Sequence, residues 1–192
     1  MNARTLSAAP AGRWLDGALP PNVILGSNTI LKGDHAFQRF RAKRGSALTI
    51  GTHCTMDGVH FAVGEAGRIE IGDYCYFCNV ILLCEMELRI GNYVVAGWNT
   101  TLADTDFHPI SPAARIQDAI ACSPASQARA RPAIPMRPVV IEDDVWMGPN
   151  VTILKGVRIG AGAFIEPGAL ITHDIPARAR VLGNPAQVVG SV

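Results

Sequence analysis

The chain has 192 residues, and its 17 basic against 16 acidic side chains give a net charge of +1. That balance leaves no electrostatic footprint for nucleic acid and no patch for a charged membrane surface, and the length suits one domain able to bury a real core. Charged residues are only 17% of the chain and glycines number 19, the composition of a protein that hides surface in stacked repeats or subunit contacts.

In chain order, residues 1–22 form an N-terminal segment without the basic start and apolar stretch of a secretory signal. No apolar run anywhere approaches the roughly 18 residues of a membrane span, and the expected location is cytoplasmic. The five cysteines (Cys54, Cys75, Cys78, Cys84, Cys122) are odd in number. Cys75-x-x-Cys78 lacks the second pair that a zinc site needs, so the expectation is small buried thiols and no metal.

From residue 23 an apolar beat of six begins, ragged at first. Leu25 and Leu31 follow Val23 and Thr29, and Ile50 and Met56 follow Leu48 and Cys54. Between them lie His35 and His53, eighteen residues apart, and the run Arg39-Phe40-Arg41-Ala42-Lys43-Arg44, which reads as a solvated face. Ile71, Phe77 and Leu83 pair with Ile69, Cys75 and Ile81; after one inserted residue come Ile90, Ala96 and Leu102, paired with Leu88, Val94 and Thr100. The beat stops for a 36-residue excursion, Ala103 to Pro138, rich in Ala, Pro and Arg. A loop of that length inside a compact domain is usually functional or disordered.

The beat then resumes without error. Ile141, Met147, Ile153, Ile159, Ile165 and Ile171 recur at every sixth position, each preceded two residues earlier by Val139, Val145, Val151, Val157, Ala163 or Ala169. Neither a helix of period 3.6 nor an alternating strand of period 2 produces sixes; short strands joined by tight corners do. Three hexads close one triangular coil of about eighteen residues, and stacked coils bury a continuous column of side chains. About six such coils fit between residues 23 and 174, with the loop 103–138 inserted and a C-terminal tail over 175–192.

Four stretches carry a resemblance: Val145-Trp146-Met147-Gly148, Ile153-Leu154-Lys155-Gly156-Val157-Arg158-Ile159-Gly160, Thr172-His173-Asp174-Ile175-Pro176 and Gly183-Asn184-Pro185-Ala186. Together they resemble the hexapeptide-repeat acetyltransferases of the maltose-, galactoside- and exopolysaccharide-O-acetyltransferase type. The resemblance implies an all-β fold, a left-handed parallel β-helix, although parallel crossovers are right-handed in about 98% of cases. It further implies a homotrimer with sites between subunits, acetyl-CoA as acyl donor, no metal, and a sugar hydroxyl as acceptor.

The family's base is a His followed by Pro where a coil runs into a loop, here His108. An imidazole there can take a proton from an acceptor hydroxyl near neutral pH, with Asp104 or Asp106 orienting the ring or simply forming a turn. Asn79 and Glu85 are the candidate acceptor contacts, although Asn79 reads equally as a corner residue in left-handed geometry and Glu85 stands one residue later than the family's acid. For acetyl-CoA the resemblance points to Gly148, Pro149, Pro167, Thr172 and His173. The family's usual phosphate cations are replaced by His173 and Gln187, which leaves Arg178 and Arg180, or Lys155 and Arg158, to meet the phosphates. Trp146 is expected at a subunit interface.

Other functions are compatible with the same repeat: an antibiotic- or amino-sugar-directed N-acetyltransferase, or a non-catalytic β-helix scaffold. A β-helix carbonic anhydrase would need two His five residues apart, and His35, His53, His60, His108 and His173 contain no such pair.

Overall fold

The computed structural model describes residues 19–124 and 129–192. Short parallel strands stack in three sheets around one core, a solenoid of about seven turns. The first face holds Val23–Leu25, Leu48–Ile50, Arg68–Ile71, Glu87–Ile90, Val139–Ile141 and Arg158–Ile159. The second holds Ile30–Lys32, Thr55–Asp57, Tyr76–Cys78, Val95–Ala96, Trp146–Met147, Phe164–Ile165 and Ala179–Gly183, with Ala186–Ser191 added antiparallel at the end. The third holds His60–Val63, Ile81–Cys84, Thr101–Ala103, Thr152–Ile153 and Leu170–Ile171.

Period six means that each face contributes the same inward position in every coil, and the register bears this out. Leu25, Ile50, Ile71, Ile90, Ile141 and Ile159 stack in one buried file. Phe61, Leu82, Leu102, Ile153 and Ile171 stack in another. All twelve apolar positions of the strict repeat after Val139 are buried.

One stretch of the pattern lies a residue away from the sequence expectation. Leu82 is buried, whereas Ile81 is 36% exposed and Leu83 faces a cleft. The inward pair is therefore Val80 and Leu82, which shortens one hexad to five residues. Because side chains alternate across a strand, that single slip exchanges the inward and outward sets. The thiol expectation holds for Cys54, Cys75 and Cys84, which are buried; Cys78 is half-buried and Cys122 exposed.

Corners are closed by residues in left-handed conformation, chiefly Asn, Asp and aromatics. Where the first face turns into the second, His53, Tyr74 and Tyr93 all have φ of 58°, and their rings stack at centroid distances of 4.8 and 5.4 Å. His53 thus stacks on Tyr74, while His35 lies nearest His60, at 6.3 Å. Beneath this ladder, Asp73, Asn92 and Asp143 each accept a backbone N–H from the preceding coil at 2.7 to 2.9 Å. Such side-chain bonds satisfy amides that a tight corner would otherwise leave unpaired.

The loop 103–138 leaves the end of the third face and returns to the first. Its ends are tied, Arg137 N donating to Asp104 O at 2.8 Å and Thr105 bridging Met136. Between them lies a helix, Pro112–Ala121, with Pro at its start. Residues 125–128 fall outside the described part. Among the described residues no helix is long and apolar enough to cross a membrane.

Candidate active site

The strands of the third face all end at the same edge of the prism. That edge therefore collects, coil by coil, Glu85 after Ile81–Cys84, the 104–108 segment after Thr101–Ala103, Lys155 after Thr152–Ile153, and Thr172 with His173 after Leu170–Ile171. Above it opens a cleft of about 400 Å³ whose lining includes Arg39, Arg41, Glu85, Phe107, His108 and Arg131.

His108 is 61% exposed at its side chain, and its Nδ1 lies 2.5 Å from Asp118 Oδ2. Asp118 sits on the inner side of the loop helix and is fully buried. Arg131 grips the same carboxylate with Nε at 2.6 Å from Oδ1 and Nη2 at 3.0 Å from Oδ2. It also donates to the Phe107 carbonyl at 2.8 Å. The Arg131 guanidinium first, and then the His108 ring, hold the Asp118 carboxyl down at about 2. An ionised acceptor beside Nδ1 selects the tautomer that carries hydrogen on Nδ1, which leaves the lone pair on Nε2. This is the arrangement of an oriented general base.

The two aspartates expected to orient the ring do other things. Asp104 is fully buried, and its carboxylate accepts the backbone N–H groups of Glu85, Met86 and Glu87 at 2.7 to 2.8 Å. It builds the turn that carries Glu85. Asp106 pairs with Lys155, pinning the loop to a later coil, and its Oδ2 is buried without a partner among the described residues. Cys84 also lines the cleft, but burial, and next the charge of Asp104, push its thiol well up, which removes it as a nucleophile.

The remaining sequence candidates divide between edges. Glu85 lies in the cleft, 3.5 Å from Arg41. Asn79 sits at the opposite end of the third face, at a corner with φ of 50°, as a turn residue does. Pro149 and Pro167 share that corner, and so does Gly148, which is buried; a Cβ on it would stand 2.8 Å from the Pro167 ring and backbone. Gly148 thus serves coil stacking. Of the cations considered for phosphates, Arg180 pairs with Glu166, Arg158 with Glu142 and Lys155 with Asp106. Arg178 is exposed, with no side-chain partner among the described residues. Thr172 and His173 are exposed and 3.3 Å apart through Oγ1 and Nδ1. Trp146 stacks on Phe164 at 4.2 Å on the outer surface of the second face.

Sequence reasoning missed Asp118 and Arg131. A faint signal existed: Ser111-Pro112 followed by Ala-Ala-Arg-Ile-Gln is a helix start, with Pro at an early position and good helix formers behind it. The basic residues of the run 39–44 are exposed, as expected of a solvated face, and two of them, Arg39 and Arg41, also line the cleft.

Residues 138–173 match the bacterial transferase hexapeptide family, in its six-repeat form. The chain is a hexapeptide-repeat protein. It is similar to a galactoside O-acetyltransferase of Lactococcus lactis, 34% identical over 141 residues, 72% of this chain and 60% of that protein. A shorter stretch, 52 residues or 27% of the chain, is 56% identical to a tetrahydropyridine-dicarboxylate N-acetyltransferase of Staphylococcus aureus, of which it spans 22%. Among solved structures, a hexapeptide-repeat acetyltransferase of Vibrio cholerae complexed with acetyl-CoA superposes with a TM-score of 0.51 at 31% identity, over 64% of this chain and 60% of that one. The hexapeptide-repeat chain therefore spans less than two thirds of the length of the curated relatives it matches.

Proposed function

We propose that the protein transfers an acetyl group from acetyl-CoA to a hydroxyl of a small, sugar-like acceptor, with His108 as general base. The observation that carries this reading is the buried, ionised Asp118 held 2.5 Å from His108 Nδ1 at the mouth of the cleft. His108 Nε2 takes the proton from the acceptor hydroxyl as its oxygen attacks the thioester carbonyl carbon. The new C–O bond forms, the C–S bond breaks, and the imidazolium returns its proton to the departing thiolate of CoA. Asp118 stabilises that imidazolium and stays ionised, because Arg131 favours its charged form.

The candidate residues lie at two ends of the third face, Glu85, His108 and Thr172 on one edge, Asn79, Pro149 and Pro167 on the other. A strand of two to four residues with its flanking corner residues separates them by about 15 Å. In a trimer, one edge of a subunit meets the other edge of its neighbour, which would bring the two sets together with acetyl-CoA between them. The exposure of Thr172 and His173, with Arg178 also exposed and available for a phosphate, supports that placement. An amine acceptor is the second reading, favoured by the 56% identity of the shorter stretch to an N-acetyltransferase. The experiment is incubation with acetyl-CoA and a panel of sugars and amino sugars, following free CoA and acetylated product by mass spectrometry. CoA release with an acetylated product bears the reading out. Failure to bind acetyl-CoA, in isothermal titration, refutes it and leaves the scaffold.

A further inference from the structure

Residues 36–43 form a rail along the free edge of the third face, beside its last strand His60–Val63. Phe61 N donates to Ala36 O at 2.9 Å, Val63 N to Arg39 O at 3.2 Å, Arg41 N to Val63 O at 2.7 Å, and Lys43 N to Glu65 O at 3.0 Å. Phe37 stacks on Phe61 at 5.6 Å and meets Phe40 edge-on at 5.5 Å, which nails the rail to the core. The backbone that carries Gln38, Arg39 and Arg41 to the cleft is therefore held in place.

Beside the cleft that holds His108 lies a second cavity of about 280 Å³, and the two share Gln38, Arg39, Ala62 and Leu83. Arg39 stands at their junction. The other end of the second cavity carries His35 and His60, with Gln38 Nε2 hydrogen-bonded to His35 Nδ1 at 2.7 Å.

The charges of this double cavity do not cancel. Arg131 is neutralised by the buried Asp118, and Arg41 by Glu85. Arg39 has no carboxylate partner among the described residues, although a guanidinium is a planar fork suited to carboxylate or phosphate. A positively charged group left unpaired in a concave, partly apolar site favours an anion.

We propose that the acceptor is an anionic small molecule, such as a sugar acid or sugar phosphate, whose charged group docks on Arg39 while a hydroxyl reaches His108. This rests on the acetyl-transfer reading and deepens it. The anion belongs to the acceptor rather than to CoA, whose phosphates lie a full pantetheine arm from the thioester. A cation sharing one cavity with His108 is not placed to meet them. The matched transferase repeat, residues 138–173, also lies in later coils than the rail.

The test compares three acceptors that differ at one carbon: galactose, galacturonate and galactose 6-phosphate. Each is titrated calorimetrically into the purified protein, and kcat/KM is measured by CoA release. Either acid should outperform galactose by at least about tenfold, and the advantage should shrink as salt screens the contact. Which acid wins distinguishes carboxylate from phosphate. Arg39→Gln should bring the acid within about twofold of galactose while leaving KM for acetyl-CoA within about twofold, and Arg39→Lys should keep part of the preference. Galactose equal to or better than both acids, or no binding of either acid, overturns the proposal. So does an Arg39→Gln variant that changes only the KM for acetyl-CoA. Preferential acid binding with no CoA release would instead sink the acetyl-transfer reading and leave the anion site standing.

Discussion

Asp118 holds the Nδ1 edge of His108 at 2.5 Å from the buried side of a helix ten residues further on, and Arg131 holds Asp118. The ring of His108 thus takes its orientation from the excursion that interrupts the repeat. Asp104 and Asp106, closer in sequence, serve the frame around it.

Replacing Asp118 by Asn should lower acetyl transfer about ten- to a thousandfold, because a neutral amide neither selects the tautomer nor stabilises the imidazolium. The same change carries a pH signature. The folded carboxyl titrates at about 2, below the roughly 3.9 of an unfolded Asp, so its contribution to stability is complete above about pH 4 and lost as pH falls towards 2. The melting temperatures of wild type and Asp118→Asn should therefore differ most at pH 5–7 and converge on acidification through that window. A gap that widens on acidification would contradict the ion pair.

Asp104→Ala should act on stability. Three backbone N–H groups of a half-buried turn lose their buried acceptor, at about 1 kcal/mol or more for each one left unpaired. Urea denaturation should show a loss of about 3 kcal/mol or more. The same loss with an intact turnover per folded molecule would confirm the separation of roles; a large fall in kcat at unchanged stability would put Asp104 in the chemistry instead.

Gly148→Ala tests coil stacking directly. The added methyl would stand 2.8 Å from Pro167 backbone and ring atoms, inside van der Waals contact, and backbone cannot yield as a flexible side chain does. The expected cost is about 1–3 kcal/mol in denaturant melts, with the far-ultraviolet β signal retained. A neutral result would mean the corner opens more freely than its packing implies.

The column of core residues was legible because period six admits few solutions, and every buried file can be read off the strict repeat after Val139. The slip at Val80 and Leu82 was not, since Ile81 and Leu83 are as apolar as the residues that replace them inside. The place of His108 just after a coil, before Pro109, was legible, and the structure puts it at the cleft. Asp118 was not, because it meets His108 through a helix whose inner face is polar at that point; burial and pairing are tertiary facts that no local period records. Arg39 was hidden for the opposite reason. Its basic run is solvated, as its charge implies, but only the hydrogen bonds to residues 61–65 show that it also runs along the cleft.

The proposed trimer has its own test. The second face exposes Ile30, Tyr76 and the Trp146–Phe164 stack, and the corners add Tyr74, Tyr93 and Trp98. Aromatic surface of that kind anchors interfaces. Light scattering at micromolar concentration should give three times the chain mass; a clean monomer would remove the shared site.

The most direct measurement is kcat/KM for acetyl-CoA-dependent transfer by His108→Ala, beside its melting temperature and its affinity for acetyl-CoA. The ring is 61% exposed and outside the core column, so fold and donor binding should be kept while turnover falls by at least about a hundredfold. Turnover within about threefold of the wild type, in a variant that still binds acetyl-CoA, would show that His108 is not the base.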